Sequence, residues 1–194
     1  MNRALDVVIA GAGLAVSSPL LALGALAVKL EDGGPVLYRQ VRVGRAGVDF
    51  ELLKLRTMVV GAEKQGAGFA VDRGDSRITR SGRMLRRLSL DELPQLWNVV
   101  RGDMSVIGPR PTLRYQVEQY DERQRHRLDV KPGITGWAQI NGRASLPWPD
   151  RIELDVWYVE HRSPRLDLRI LARTPFALFR GTYKGETGGW REAP

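Results

Sequence analysis

The sequence contains no cysteine, and its only histidines are His126 and His161. The first absence excludes a disulfide framework and thiolate metal sites, and the second argues against a histidine-rich metal centre. Acidic residues are also in deficit: 22 Asp and Glu face 30 Lys and Arg, for a formal charge of +8. A chain of that sign expects acidic partners, whether nucleic acid, anionic lipid headgroups or the phosphates of nucleotide sugars and lipids, and charge alone does not choose among them. Nothing marks a second domain, and 194 residues with 43% hydrophobic content suffice for one core.

The residues cluster most unusually between Arg86 and Pro111. Arg86-Arg87-Leu88-Ser89-Leu90-Asp91-Glu92 sets two adjacent carboxylates behind two arginines, and Gly108-Pro109-Arg110-Pro111 follows a short apolar run. Adjacent carboxylates such as Asp91 and Glu92 suit a hard divalent cation such as Mg²⁺, which offsets their repulsion and prefers carboxylate and phosphate oxygens. Guanidinium forks suit the phosphate itself. A carboxylate beside a metal-bound phosphate can serve as nucleophile or base, so phosphoryl-type chemistry is the first expectation. Ser89 and Glu92 also fit a capping box, although Pro94 favours a helix starting one turn later. The plainer alternative is an acidic first turn that merely complements a helix dipole.

Around this stretch the chain falls into recognisable segments. Ala4 to Val28 is apolar apart from Asp6 and Ser17-Ser18-Pro19, and it is long enough to reach across a bilayer. It reads as a signal peptide, a straight span kinked at Pro19, a buried core helix, or a helix-break-helix that enters and leaves through one face. Ser18 matters to the last, because its hydroxyl can satisfy a backbone group freed by Pro19. Val36–Gly44 and Val48–Met58 predict a β-hairpin. Lys54 and Arg56 then lie either on a solvated strand face or toward a site.

Residues 61–74 read as a loop, Ile78–Leu88 as a basic helix and Thr112–Arg127 as a helix with a solvated side. Proline on each side of Arg110 fixes the backbone around an anion-binding group. In Lys131-Pro132-Gly133-Ile134-Thr135-Gly136-Trp137-Ala138-Gln139-Ile140-Asn141-Gly142-Arg143, the glycines would admit a nucleotide or pyrophosphate close to the backbone, with Arg143 as a phosphate contact. Trp137 is expected to pack beneath the site. Two amphipathic segments follow, Ile152–Trp157 and Leu166–Phe179, with Trp148, Trp157, Tyr158, Phe176 and Phe179 near basic residues, a pattern used by membrane-surface anchors.

These two long motifs, in this order, resemble the bacterial monotopic polyprenyl-phosphate phosphoglycosyl transferases, and the similarity runs from about Asp6 to about Arg180. The resemblance implies an α+β fold: a re-entrant membrane helix over residues 1–30 bent at Ser18 and Pro19, then a catalytic domain over 31–180 with interfacial helices. A frayed tail, 181–194, is expected to follow. It further implies a UDP-sugar donor, a polyprenyl phosphate acceptor, undecaprenyl phosphate above all, and Mg²⁺. Asp91 would carry the sugar phosphate covalently, with Glu92 beside it. Lys54, Arg56, Arg86, Arg110 and Arg143 would bind phosphates, at the cytoplasmic face of the bacterial inner membrane. The competing class is a non-enzymatic basic protein binding membrane or nucleic acid. The apolar N-terminus and the paired carboxylates, which repel a polyanion, both count against nucleic acid.

Overall fold

The computed structural model describes residues 2–65, 74–142 and 146–179. The expected loop is therefore described only at its two ends, and Arg143 and the tail from Gly181 lie outside the described residues. The fold is a mixed α and β arrangement. Helix α1 (Arg3–Asp32) precedes an antiparallel hairpin of β1 (Leu37–Val43) and β2 (Asp49–Leu55), as the sequence predicted. Then come α2 (Arg80–Arg87), α3 (Gln95–Arg101), β3 (Ser105–Ile107), α4 (Arg114–Glu118), α5 (Glu122–Arg125), β4 (Gly133–Thr135), α6 (Trp137–Ile140), α7 (Trp148–Glu160) and α8 (Pro164–Phe179).

Helix α1 is not broken in two at Ser18 and Pro19; it runs as one helix from Arg3 to Asp32. The reason is local. Pro19 cannot donate to the Ala15 carbonyl, and the Ser18 hydroxyl takes that carbonyl at 2.8 Å, while Ser17 Oγ donates to Gly13 O at 2.6 Å. No carbonyl is stranded, so the helix continues. One face, carrying Asp6, Ala10, Ser17, Gly24 and Val28, is buried against the rest of the chain. Small residues permit the close approach: a Cβ on Gly24 would stand 2.9 Å from Leu55 Cδ1. The outer face carries exposed Val8, Val16, Leu20, Leu23, Leu26 and Leu30.

Both ends of α1 are bolted to the same body. Near its start, Arg3 donates to the carbonyls of Val99 and Val100 in the last turn of α3, where a cation also complements the helix dipole. Asp6 Oδ1 accepts from Ser105 Oγ and Val106 N, each at 2.8 Å. Near its end, Glu31 accepts from the backbone N–H groups of Arg80 (2.6 Å) and Ser81 (2.9 Å), capping the start of α2. Asp32 pairs with Arg56. Between Asp6 and Glu31 the helix rises about 38 Å.

The core gathers Ala10 of α1, Leu52 of β2, Val99 and Met104 around α3, Val106 and Ile107 of β3, and Tyr158, Leu166 and Ile170 of α7 and α8. A second cluster joins Val43 to Val117, Tyr120, Ile152 and Val156, and a third joins Val28, Leu55 and Leu85. Each fully buried side chain of this kind contributes about 1.5–3 kcal/mol.

Two elements depart from the sequence expectation. Thr112–Arg127 is not one helix: α4 and α5 are separated at residues 119–121, where Asp121 caps α5 by accepting from Gln124 N at 2.8 Å. A parallel pair, β3 with β4, was not anticipated. It explains the glycines of the second motif better than ligand approach does. A Cβ on Gly133 would lie 2.0 Å from Gly108 N, and one on Gly136 would lie 2.2 Å from Gly108 O, so these glycines let two backbones touch.

Candidate active site

The chain reaches the carboxylates through a strained turn. After α2, Ser89 takes a left-handed conformation (φ 55°, ψ 22°), which costs a non-glycine residue about 1 kcal/mol. The next three residues, Leu90–Glu92, form a single 3₁₀ turn, and α3 begins only after Pro94. Ser89 makes no side-chain cap, so the capping box is not formed and the later helix start holds. In a 3₁₀ turn, neighbouring side chains diverge by about 120°. Asp91 and Glu92 accordingly meet different surroundings.

Glu92 is held by cations. Lys54 Nζ stands 3.4 Å from its Oε1, and Arg110 grips it with both terminal nitrogens, Nη1 at 3.3 Å from Oε2 and Nη2 on Oε1. Asp91 is only 8% exposed and accepts no hydrogen bond from another described residue. Burial, and then the adjacent Glu92 charge, raise its pKa above the usual carboxylate range, opposed by Lys54, Arg86 and Arg110. Burial lowers the pKa of Lys54, against the pull of Glu92. Two carboxylates thus sit among three cations, and Arg86 is steadied by donating from Nε to Thr57 Oγ1 at 2.8 Å. Lys54, Arg86 and Arg110 are brought together around the two carboxylates.

Arg56 is not brought to the carboxylates. Its guanidinium turns to the end of α1, where it binds both oxygens of Asp32, the Pro35 carbonyl at 2.5 Å and the Met58 carbonyl at 3.3 Å. The strand ends at Leu55, and the alternation that paired Arg56 with Lys54 ends there too. The aromatic residues divide as well. Tyr158 is buried, donating to Asp167 at 2.8 Å, and Trp148 packs against the second core cluster under Arg127 and Arg151. Neither is a surface anchor. Trp157 and Phe176 remain exposed, and Trp137 packs against the core, stacked on Trp157 at 5.1 Å.

Sequence reasoning missed the residues that hold Arg110. Arg127, 4% exposed, donates from Nε to Asp155 at 2.8 Å, from Nη1 to the Tyr120 hydroxyl at 2.7 Å, and from Nη2 to the Arg110 carbonyl at 2.6 Å. Arg42 also reaches this loop, through the Pro111 carbonyl at 3.3 Å, and Gln40 Oε1 accepts from its Nη2 at 2.6 Å. Burial, then the nearby Arg110, lower Arg42 to about 10, so it stays charged at neutral pH. A signal for Asp155 was present: it shares a helix with Ile152, Val156 and Tyr158 at apolar spacing, where an unpaired acid is rarely buried.

The donor set bears on a metal. Among the described residues there is no group of three or more Asp, Glu, His or Cys side chains able to hold an ion. Asp91 accepts no hydrogen bond from another described residue and Glu92 adjoins it, a sparse set that fits Mg²⁺ completing its shell with waters and substrate phosphates rather than with a protein cage.

Residues 1–181 match the family model described as bacterial sugar transferase, and the chain belongs to that family. It is 45% identical to a Bacillus subtilis protein named as the uncharacterized sugar transferase EpsL, over 90% of this chain and 85% of that protein. It is 46% identical to the UDP-glucose:undecaprenyl-phosphate glucose-1-phosphate transferase of Caulobacter vibrioides, over 89% of this chain and 67% of that one. Identity to the UDP-N-acetylgalactosamine-undecaprenyl-phosphate N-acetylgalactosaminephosphotransferase of Aeromonas hydrophila is 42%, over 90% of this chain and only 42% of the longer relative.

Proposed function

We propose that this chain transfers a sugar-1-phosphate from a UDP-sugar to a polyprenyl phosphate, undecaprenyl phosphate by the names of its relatives, and releases UMP. One observation carries the reading: a buried, unpaired Asp91 lies beside cations that Glu92 already holds in place. The sugar differs between the two named relatives, whereas the nucleotide and the lipid phosphate do not. Cations arrayed for phosphate fit that constant part.

In the first half-reaction an Asp91 oxygen attacks the β-phosphorus, and the bond to the bridging oxygen breaks. UMP leaves with that electron pair, and the sugar phosphate stays on Asp91 as an acyl phosphate. Lys54, Arg86 and Arg110 offset the charge gathered on the phosphates. In the second, a phosphate oxygen of the polyprenyl phosphate attacks the same phosphorus, and Asp91 leaves as a free carboxylate. Mg²⁺, held by Asp91 with Glu92 alongside, would neutralise the pyrophosphate and ease departure of UMP. Burial makes Asp91 a stronger base and nucleophile once ionised.

The membrane reading is monotopic. Supporting it, α1 presents an apolar outer face while its two ends remain on one polar body, so a crossing with the ends on opposite sides would tear both sets of contacts. The cytoplasmic face of the inner membrane is where a nucleotide sugar and a lipid phosphate meet. The decisive experiment is mass spectrometry of protein quenched with UDP-sugar. A phosphosugar on the Asp91 peptide is expected, and its loss in Asp91→Asn together with turnover. Near-normal turnover by Asp91→Asn would exclude covalent catalysis.

A further inference from the structure

Arg42 is a cation that the chain half-buries without giving it an acid. Along β1, Leu37, Arg39 and Val41 are exposed, whereas Tyr38, Gln40 and Arg42 lie on the inner face, and Tyr38 pairs in register with Lys54. Lys54 in turn reaches Glu92, so this face of the hairpin looks onto the carboxylates. A guanidinium has five N–H donors. Arg42 commits Nε (3.0 Å) and Nη2 (2.6 Å) to the one Gln40 Oε1, and Nη1 to the Pro111 carbonyl at 3.3 Å. One N–H on each terminal nitrogen is left without an acceptor among the described residues. None of these acceptors is a carboxylate, and Glu92, the acid that bears on Arg42, is already held by Lys54 and Arg110. The strongest charge acting on Arg42 is Arg110, which repels it. Were Arg42 only a support for the Pro111 carbonyl, a neutral donor would serve without the cost of a desolvated and repelled charge. An anion between the two guanidiniums turns that repulsion into attraction.

Position decides which anion this is. Lys54, Arg86 and Arg110 act on Asp91 itself, while Arg42 lies beyond Glu92 and Arg110, one place further out. In each displacement the attacking and leaving oxygens stand in line, on opposite sides of the phosphorus. Asp91 occupies one side in both half-reactions. UMP therefore departs from the other side, and the acceptor's phosphate oxygen must enter from there as well. We propose that Arg42, oriented by Gln40, binds the phosphate opposite Asp91: first the α-phosphate of the donor, then the phosphate of the acceptor. When the bond from the β-phosphorus to the bridging oxygen breaks, the electron pair stays on that oxygen and UMP gains a second negative charge. Arg42 meets that charge, and later steadies the acceptor phosphate whose oxygen displaces Asp91. The proposal rests on the covalent reading above.

Calorimetry with UMP as the probe tests the site without turnover, in the parent protein, Arg42→Gln, Arg110→Gln and the double variant. Arg42→Gln should weaken UMP binding by about tenfold or more, the worth of a charged hydrogen bond, and Arg42→Lys by less. The loss should persist in the Arg110→Gln background, because the two residues touch the phosphate separately. In kinetics, single-turnover UMP release should slow and KM for undecaprenyl phosphate should rise in the same variant. Unchanged UMP affinity in Arg42→Gln overturns the assignment. So does a loss that disappears once Arg110 is replaced, which would make Arg42 a support for Arg110 alone. A kinetic effect confined to donor or to acceptor would overturn the shared position. Should Arg42→Gln fail to fold, Arg42→Lys, which keeps the charge and loses the fork, carries the same test. If no phosphosugar forms on Asp91 in the parent protein, the covalent reading fails, and UMP calorimetry still decides whether Arg42 binds the nucleotide phosphate.

Discussion

Replacing Arg127 separates what its ion pair does for the fold from what it does for the site. Arg127→Met leaves Asp155, whose side chain is 3% exposed, without its cation. Removing one partner of such a pair costs about 3–5 kcal/mol, a large part of the roughly 5–15 kcal/mol that holds a domain together. Changing both, Arg127→Met with Asp155→Leu, removes the stranded charge and should recover most of that loss. The double variant still lacks the guanidinium that holds the Arg110 carbonyl at 2.6 Å, a charged hydrogen bond worth about 1.5–3 kcal/mol. Arg110 then grips Glu92 from a looser loop. Chemical denaturation followed by circular dichroism should show the double variant about 1.5–3 kcal/mol below the parent protein, the loss of that one hydrogen bond, while kcat/KM for UMP release stays about 10- to 100-fold low. Recovery of stability and turnover together would refute the positioning role, and a single variant that loses under about 1 kcal/mol would refute the buried pair.

Other predictions follow from the same contacts. Asp91 attacks only when ionised, and burial and Glu92 raise its pKa, so single-turnover UMP release should fall as pH drops through a value above the ordinary carboxylate range. Glu92→Gln removes the like charge and should move that acid limb to lower pH; a limb that stays or rises would contradict the cause assigned. Arg56→Met should leave KM for donor and acceptor within about twofold while lowering stability by about 1–3 kcal/mol, because Asp32 and two carbonyls lose their donor. A large donor effect would return Arg56 to the site. Chelation of divalent ions should abolish UMP release and Mg²⁺ restore it, in a titration that Asp91→Asn no longer supports in calorimetry.

How much of this could be read from the sequence depended on the kind of signal. The hairpin, the basic helix and the clustering of Asp91 and Glu92 with Arg86 and Arg110 were legible, because alternation, helical spacing and clustered opposite charge are local patterns, whereas Lys54 joined them only through the family resemblance. Arg56 misled because its strand ends one residue earlier, and no pattern announces that Asp32, 24 positions away, will claim it. Arg127 sits in a run of charge that reads as a solvated face, and only the fold brings Asp155 and Tyr120 to it. The parallel pair of β3 and β4 is three residues per strand, too short to show a period, and its glycines imitate a ligand loop. Pro19 suggested a break, yet a single serine hydroxyl carried the helix through.

The double bolting of α1 gives its hydrophobic segment a second duty as a strut. Arg3 fastens the far end of α3, whose near end follows the Asp91 turn, and Glu31 fastens the start of α2, which leads into that turn from the other side. α1 thus sets the spacing of the two helices between which Asp91 is strung. Exchanging α1 for an unrelated greasy segment would keep the protein on the bilayer and slacken the catalytic turn.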